Sequence, residues 1–116
     1  MNITETSKNG VTVVALEGRL DIISAPKLQK NRSFMDAETP VVIDLEKVGF
    51  MDSTGLRAIV SALNQKKQGA LAIVLACMND QVRRTFALTN TLKLFHIFDD
   101  TDAAIDFAAA RQSERI

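Results

Sequence analysis

The sequence predicts a single α/β domain over residues 1–116, built on a mixed, mostly parallel sheet of four to five strands. Short apolar runs alternate with amphipathic stretches in the order β-β-α-β-α-β-α-β-α. That order arises when parallel strands are joined by right-handed helical crossovers. Two of the runs, "PVVIDL" and "ALAIVLA", are almost continuously apolar, as in strands covered on both faces. Apolar residues form 47% of the 116 positions, enough for one hydrophobic core and too many for extended disorder.

Taken in order, "NITET" predicts a short pairing strand, and Asn9-Gly10 the turn that follows it. In "GVTVVALEGRLD" (10–21), Val11, Val13 and Ala15 alternate with Thr12, Val14 and Leu16, so both faces of this strand are expected to be covered. "SAPKLQKNRSFM" predicts one helix, with Ser24 as N-cap and Pro26 in the first turn. Its apolar stripe is thin (Ala25, Leu28 and Met35), with Arg32 at the position where another core residue would fit. "PVVIDL" (40–45) reads as a buried strand. Leu56, Ile59, Val60 and Leu63 recur at i, i+3, i+4 and i+7 and predict a helix from residue 55 to about 68. Lys66 and Lys67 suit the negative end of its dipole, and Gly69 its stop. "ALAIVLA" (70–76) is another buried strand. "NDQVRRTFALT" predicts a helix capped by Asn79, with Val82 and Phe86 inward and Arg83 and Arg84 in solvent. "LKLFHIF" is a returning strand and "TDAAIDFAAARQ" a last helix, capped by Thr101.

Composition narrows the function classes. Fourteen Lys and Arg balance fourteen Asp and Glu, so no net field draws in nucleic acid or anionic membrane. Trp and Tyr are absent, and no basic run is interleaved with aromatics able to stack on bases. Cys77 is the single cysteine, which excludes an internal disulfide and a Cys-built metal site; it reads as a small buried hydrophobe. No Gly-rich phosphate loop is present, so no cofactor is expected. The first ten residues lack the basic-then-apolar order of a signal peptide, and the longest apolar runs are about half a membrane span. The expectation is a soluble cytoplasmic protein.

The chemistry concentrates in "GFMDSTGLRAIV" (49–60). A loop after a parallel strand lies at the carboxyl edge of the sheet, where function collects in open α/β folds. At a helix N-terminus several N–H groups lack partners, so a hydroxyl there can cap the helix and a phosphate is tolerated. One cap accounts for one of Asp52, Ser53 and Thr54, yet three candidates stand in a row. Either Asp52, Ser53 or Thr54 is simply an N-cap, or Ser53 is modified beside a capping Asp52 or Thr54, with Arg57 one turn on to pair with a phosphate. The enzyme alternative makes Ser53 a nucleophile, but Met51-Asp52-Ser53-Thr54-Gly55 lacks the first glycine of a G-x-S-x-G elbow. Its only base candidate, His96, sits in an apolar run. No catalytic residue is expected.

"VVIDLEKVGFMDSTGLRAIVSAL" resembles the signature of the anti-sigma factor antagonists, small bacterial members of the STAS domain family. "LEGRLDIISAPKL" is similar to the family's Gly-x-Leu-Asp strand end followed by Ala-Pro. "QVRRTFALTNTLKLFHIF" is similar to its third-helix segment, with Asn90 in place of a glycine. Asn tolerates the left-handed conformation such a turn needs. The resemblance implies a STAS fold with about four helices packed mainly on one side of the sheet. It implies phosphorylation at Ser53 and a partner-binding surface of Asp21, Met51, Asp52, Ser53, Thr54, Gly55, Leu56 and Arg57. It also implies two protein partners, an anti-sigma factor that is a serine kinase and a metal-dependent serine phosphatase acting on phospho-Ser53, in a monomer or weak dimer. A non-catalytic STAS scaffold in a transporter or signalling assembly is the alternative. A phosphate at Ser53 adds about −1.5 to −2 charges. At roughly 6 Å from a carboxylate this costs about 1 kcal/mol in water and about 5 at an effective dielectric of 20, as in a closed interface. A small exposed apolar patch is expected around Met51 and Leu56.

Overall fold

The computed structural model describes residues 1–36, 38–67 and 72–113. Strand β1 (Asn2–Lys8) turns at Asn9-Gly10 into β2 (Val11–Leu20). Both turn residues have positive φ, 55° and 77°, which fits the twist of a two-residue hairpin. The pair is antiparallel, in register from Asn2 opposite Glu17 to Lys8 opposite Val11. Strands β3 (Val41–Met51), β4 (Ile73–Ala76) and β5 (His96–Phe98) then add in sequence order, all parallel. The result is the expected mixed, mostly parallel five-stranded sheet.

Alternation along β2, β3 and β4 feeds two cores. Val14, Leu16, Ile43, Leu45, Ile73 and Leu75 face one side, where they are covered by α1 (Ala25–Gln29), α2 (Arg32–Met35), α3 (Ser53–Gln65) and α4 (Asp80–Leu88). Val11, Val13, Val42, Val74 and Ala76 face the other and meet Ala104, Ile105 and Ala108 of α5 (Thr101–Ser113). The doubly apolar strands are thus explained: helices cover both faces, four of them on one side. Among the described residues no helix is long and apolar enough to cross a membrane.

Several elements differ from the sequence reading. The single helix expected over "SAPKLQKNRSFM" is two, because the Asn31 side chain accepts a hydrogen bond from Phe34 N–H and starts α2 afresh. The break resets the helical phase and sends Phe34, not Arg32, into the core; Phe34 is wholly buried. Ser24 occupies the N-cap position of α1 but makes no side-chain capping bond. At α5 the cap is Asp100, whose carboxylate accepts from Ala103 N–H at 2.7 Å, and Thr101 is already helical. "LKL" (92–94) is a short 3-10 turn ahead of β5. Asn90 does take the left-handed conformation, with φ of 61°. Lys66 is not a solvated cation. It is buried, and its ammonium donates to the carbonyls of Ser33, Asp36 and Thr39 at 3.2, 2.8 and 2.6 Å, tying α3 to the segment before β3. Gly69 and the first two residues of "ALAIVLA" lie outside the described residues.

Candidate functional site: the β3–α3 elbow

The connection expected as a loop is almost absent. Residues 46–51 continue β3, paired with the second half of β2, so Met51 lies opposite Leu20 and only Asp52 separates strand from helix. Two neighbours pin this elbow. From β2, the Leu20 carbonyl accepts the Asp52 N–H at 3.2 Å. From α4, Gln81 both accepts the Met51 N–H and donates to the Met51 carbonyl, at 3.0 and 3.1 Å, and the Thr85 hydroxyl donates to the same carbonyl at 3.1 Å. These bonds satisfy a strand end that would otherwise leave buried polar groups unpaired. Spacing alone does not mark Gln81 and Thr85, because their role depends on where α4 docks.

Asp52 is the helix cap. Its extended backbone ends the strand, and its carboxylate accepts the Gly55 N–H at 2.9 Å. The cap question is thereby settled in favour of Asp52, which leaves Ser53 as the first helical residue with no capping task. Ser53 is exposed, and among the described residues no group hydrogen-bonds its hydroxyl. Thr54 is half-buried. Gly55 is buried where α3 crosses the end of β2: a methyl group built on it would stand 2.8 Å from the Leu20 carbonyl carbon and 2.7 Å from Leu20 Cγ. Only a residue without a β-carbon allows that approach.

The apolar patch expected around Met51 and Leu56 is not at the surface. Both are core residues, 1% and 3% exposed, because β3 runs on to Met51 and α3 turns Leu56 inward. Together with Gly55 they pack the elbow from inside and so position the site. Arg57 is exposed, and among the described residues it has no ion-pair partner. Ser53, Leu56, Arg57 and Val60 form one wall of an open groove of about 210 Å³, and Thr89 and Thr91, beyond the end of α4, form the other.

Asp21 follows Leu20 and so stands beside the elbow, as expected. Its carboxylate accepts the N–H groups of Ser24 and Ile23 at 3.2 and 3.1 Å, while the Ser24 hydroxyl donates to the Arg19 carbonyl at 2.7 Å. The Ser24 N–H first, then the Ile23 N–H and the Arg19 side chain, hold the Asp21 carboxyl below its usual range. Arg19 lies across the Phe50 ring, 4.2 Å from its centre, and reaches Asp21 at 3.5 Å. His96, the sole base candidate for an enzyme reading, packs on Phe107 of α5 with ring centres 4.7 Å apart. It therefore serves the opposite face of the sheet. Cys77 follows β4 with φ of 65° and shares a 3.3 Å hydrogen bond with Thr101; burial raises its thiol pKa.

Comparison with known proteins agrees with this architecture. The family model for the STAS domain matches residues 2–104. An anti-sigma-B factor antagonist of Staphylococcus aureus is 29% identical over 88% of this chain and 96% of its own. The anti-sigma-F factor antagonist RsfB of Mycobacterium tuberculosis is 29% identical over 90% of this chain and 87% of its own. Among solved structures, an anti-sigma factor antagonist from Mycobacterium paratuberculosis superposes with a TM-score of 0.80 at 25% identity, covering 90% and 91% of the two chains. The fold is shared with a sulfate transporter family protein from Wolinella succinogenes, at a TM-score of 0.76 and 19% identity over 93% and 92% of the chains. It is shared also with phosphorylated SpoIIAA of Bacillus, at 0.64 and 20% over 90% and 97%. Sheet order, elbow and family match point the same way, and the chain belongs to the STAS domain family.

Proposed function

We propose that this protein is an anti-sigma factor antagonist that works by partner switching, as a cytoplasmic protein without catalytic activity of its own. The unphosphorylated form binds an anti-sigma factor that is also a serine kinase, and so frees a sigma factor. The kinase transfers the terminal phosphoryl group of ATP to Ser53 Oγ, with loss of the hydroxyl proton and release of ADP, and the complex separates. A metal-dependent serine phosphatase hydrolyses the ester and returns the binding form.

One observation carries this reading: Ser53 Oγ is exposed at the first turn of α3, and the cap of that helix is supplied by Asp52. The fold does not use the hydroxyl, so it is free for a transferase. A phosphate there meets the positive end of the α3 dipole and lies one turn from Arg57, so the isolated domain accommodates it. A closed complex has no such relief, because the added charge must be desolvated near the Asp21 and Asp52 carboxylates.

The test is incubation with the anti-sigma kinase and ATP. A gain of one phosphoryl group on Ser53, absent in Ser53→Ala, is expected. Ser53→Ala is expected to bind without release, and Ser53→Asp to bind about a hundredfold more weakly or worse. Tight binding with no modification of Ser53 refutes the cycle. It would favour a scaffold role instead, the reading that the likeness to a transporter family protein keeps in view.

A further inference from the structure

Three large apolar side chains stand out in solvent among the described residues: Ile22, 68% exposed, Ile23, 85%, and Leu88, 80%. Exposed aliphatic residues scattered singly need no explanation, but each of these three follows or precedes a residue beside the elbow or its groove. Ile22 and Ile23 follow Asp21 in the turn after β2, next to the Leu20 carbonyl that holds Asp52. The turn is rigid: the Asp21 carboxylate accepts the Ile23 and Ser24 N–H groups, and the Ser24 hydroxyl donates to the Arg19 carbonyl. Both isoleucines are therefore held outward. Leu88 lies on the other side. On α4, Gln81 and Thr85 face the Met51 carbonyl. Leu88, three residues beyond Thr85, continues that face by a turn and adjoins Thr89, which lines the groove with Ser53.

Building on the partner-switching reading, we propose that Ile22, Ile23 and Leu88 form an apolar rim on which the anti-sigma factor kinase docks. To phosphorylate Ser53 the kinase must bring its active site onto the first turn of α3. Its surface then closes over whatever flanks that turn, and each flank carries exposed aliphatic side chains beside its polar residues, Asp21 on one side and Thr89 on the other. Met51, Gly55 and Leu56 are buried and the exposed Ser53 and Arg57 are polar, so the elbow itself presents no large exposed aliphatic side chain. Apolar anchors around a polar switch match the division seen in protein interfaces, where a few desolvated residues carry affinity. The rigid Asp21 turn also lowers the ordering cost of docking on the isoleucines.

The Kd of the kinase complex is to be measured for the wild type, Ile22→Ser/Ile23→Ser, Leu88→Ser and Ser53→Asp, with backbone amide spectra to confirm folding and sedimentation to follow self-association. Each rim variant is expected to bind about tenfold or more weakly while keeping a native spectrum and unchanged self-association. Once saturated with kinase, each is expected still to be phosphorylated on Ser53. Unchanged Kd in the rim variants, with binding lost in Ser53→Asp, overturns the rim and leaves the switch standing. Unchanged Kd with loss of self-association overturns it too, since the rim then serves a second copy of this chain. Failure of the wild type to bind the kinase overturns the functional reading and the rim together.

Discussion

Gly55→Ala offers a sharp test of how the site is held, because two general rules give it opposite signs. In an exposed helix, glycine to alanine gains up to about 1 kcal/mol from the backbone. Here the new methyl group meets backbone as well as a side chain, 2.8 Å from the Leu20 carbonyl carbon and 2.7 Å from its Cγ. The Leu20 carbonyl also accepts the Asp52 N–H, so neither partner yields alone. Overpacking of this kind costs about 1–3 kcal/mol. Moving α3 outward to relieve it stretches the bond from Gly55 N–H to the Asp52 carboxylate, whose loss costs about 1 kcal/mol more. The net expectation is destabilisation of about 1–3 kcal/mol, or roughly 4–12 °C in Tm for a chain of this size. Gly49→Ala is the internal control, since a methyl group there has nothing within 4 Å. Urea and thermal unfolding should separate the two, with Gly49→Ala within about 0.5 kcal/mol of wild type. A Gly55→Ala protein as stable as wild type would refute the claim that the Leu20 contact sets the position of α3.

Lys66→Met removes the ammonium that donates to three carbonyls, and should destabilise at pH 7 by about 1–3 kcal/mol on denaturant titration. Burial, opposed by the Asp36 charge, lowers the Lys66 pKa from 10.5 to about 8. Between those values the unfolded chain binds more protons than the native one, so stability rises with pH across the window and not below it. The wild-type advantage over Lys66→Met should therefore widen from pH 8 to pH 10, and a constant difference would count against the buried ammonium. Phe34→Ala should cost about 3–5 kcal/mol by the same assay, as for a fully buried aromatic, whereas Arg32→Ala, at the position nearer the expected stripe, should change stability by less than about 0.5 kcal/mol.

What the sequence made legible was whatever depends on local pattern. The strands, the amphipathic helices α3 and α4, the Asn79 cap and the Asn9-Gly10 turn follow from periodicity and capping chemistry. The errors came where a distant partner decides. "EKVGFM" carries too much charge to read as strand, yet it pairs with β2 because that strand is long and supplies the ladder as far as Leu20. That extension buries Met51 and shrinks the expected loop to Asp52. The helix at residues 24–35 divides because a single asparagine competes for the backbone, and the phase change hides Phe34 from any continuous helical stripe. Lys66 looked like a dipole-complementing surface cation, and became a buried donor because the segment before β3 turns three carbonyls toward it. The exposure of Ile22 and Ile23 carries no local signal either, since it is the Asp21 turn that points them away from the core.

The same geometry bears on how a phosphate at Ser53 would act. The strand end and the cap are held by several bonds: Asp52 N–H to the Leu20 carbonyl, Gly55 N–H to the Asp52 carboxylate, and the Met51 groups to Gln81 and Thr85. A new anion at the first turn of α3 meets N–H groups already pointing at it, so none of these bonds has to break, and the buried Gly55 contact resists movement of the helix as a whole. Conformational signalling needs a second packing within a few kcal/mol, and this elbow offers no loose segment from which to build one. The effect of the phosphate must then be felt mainly by the docked protein, through charge and desolvation at the interface. On the proposed partner-switching reading, the two states would then differ in what they bind and hardly in shape. Amide shifts spreading from α3 into β4 and α5 on phosphorylation would contradict it.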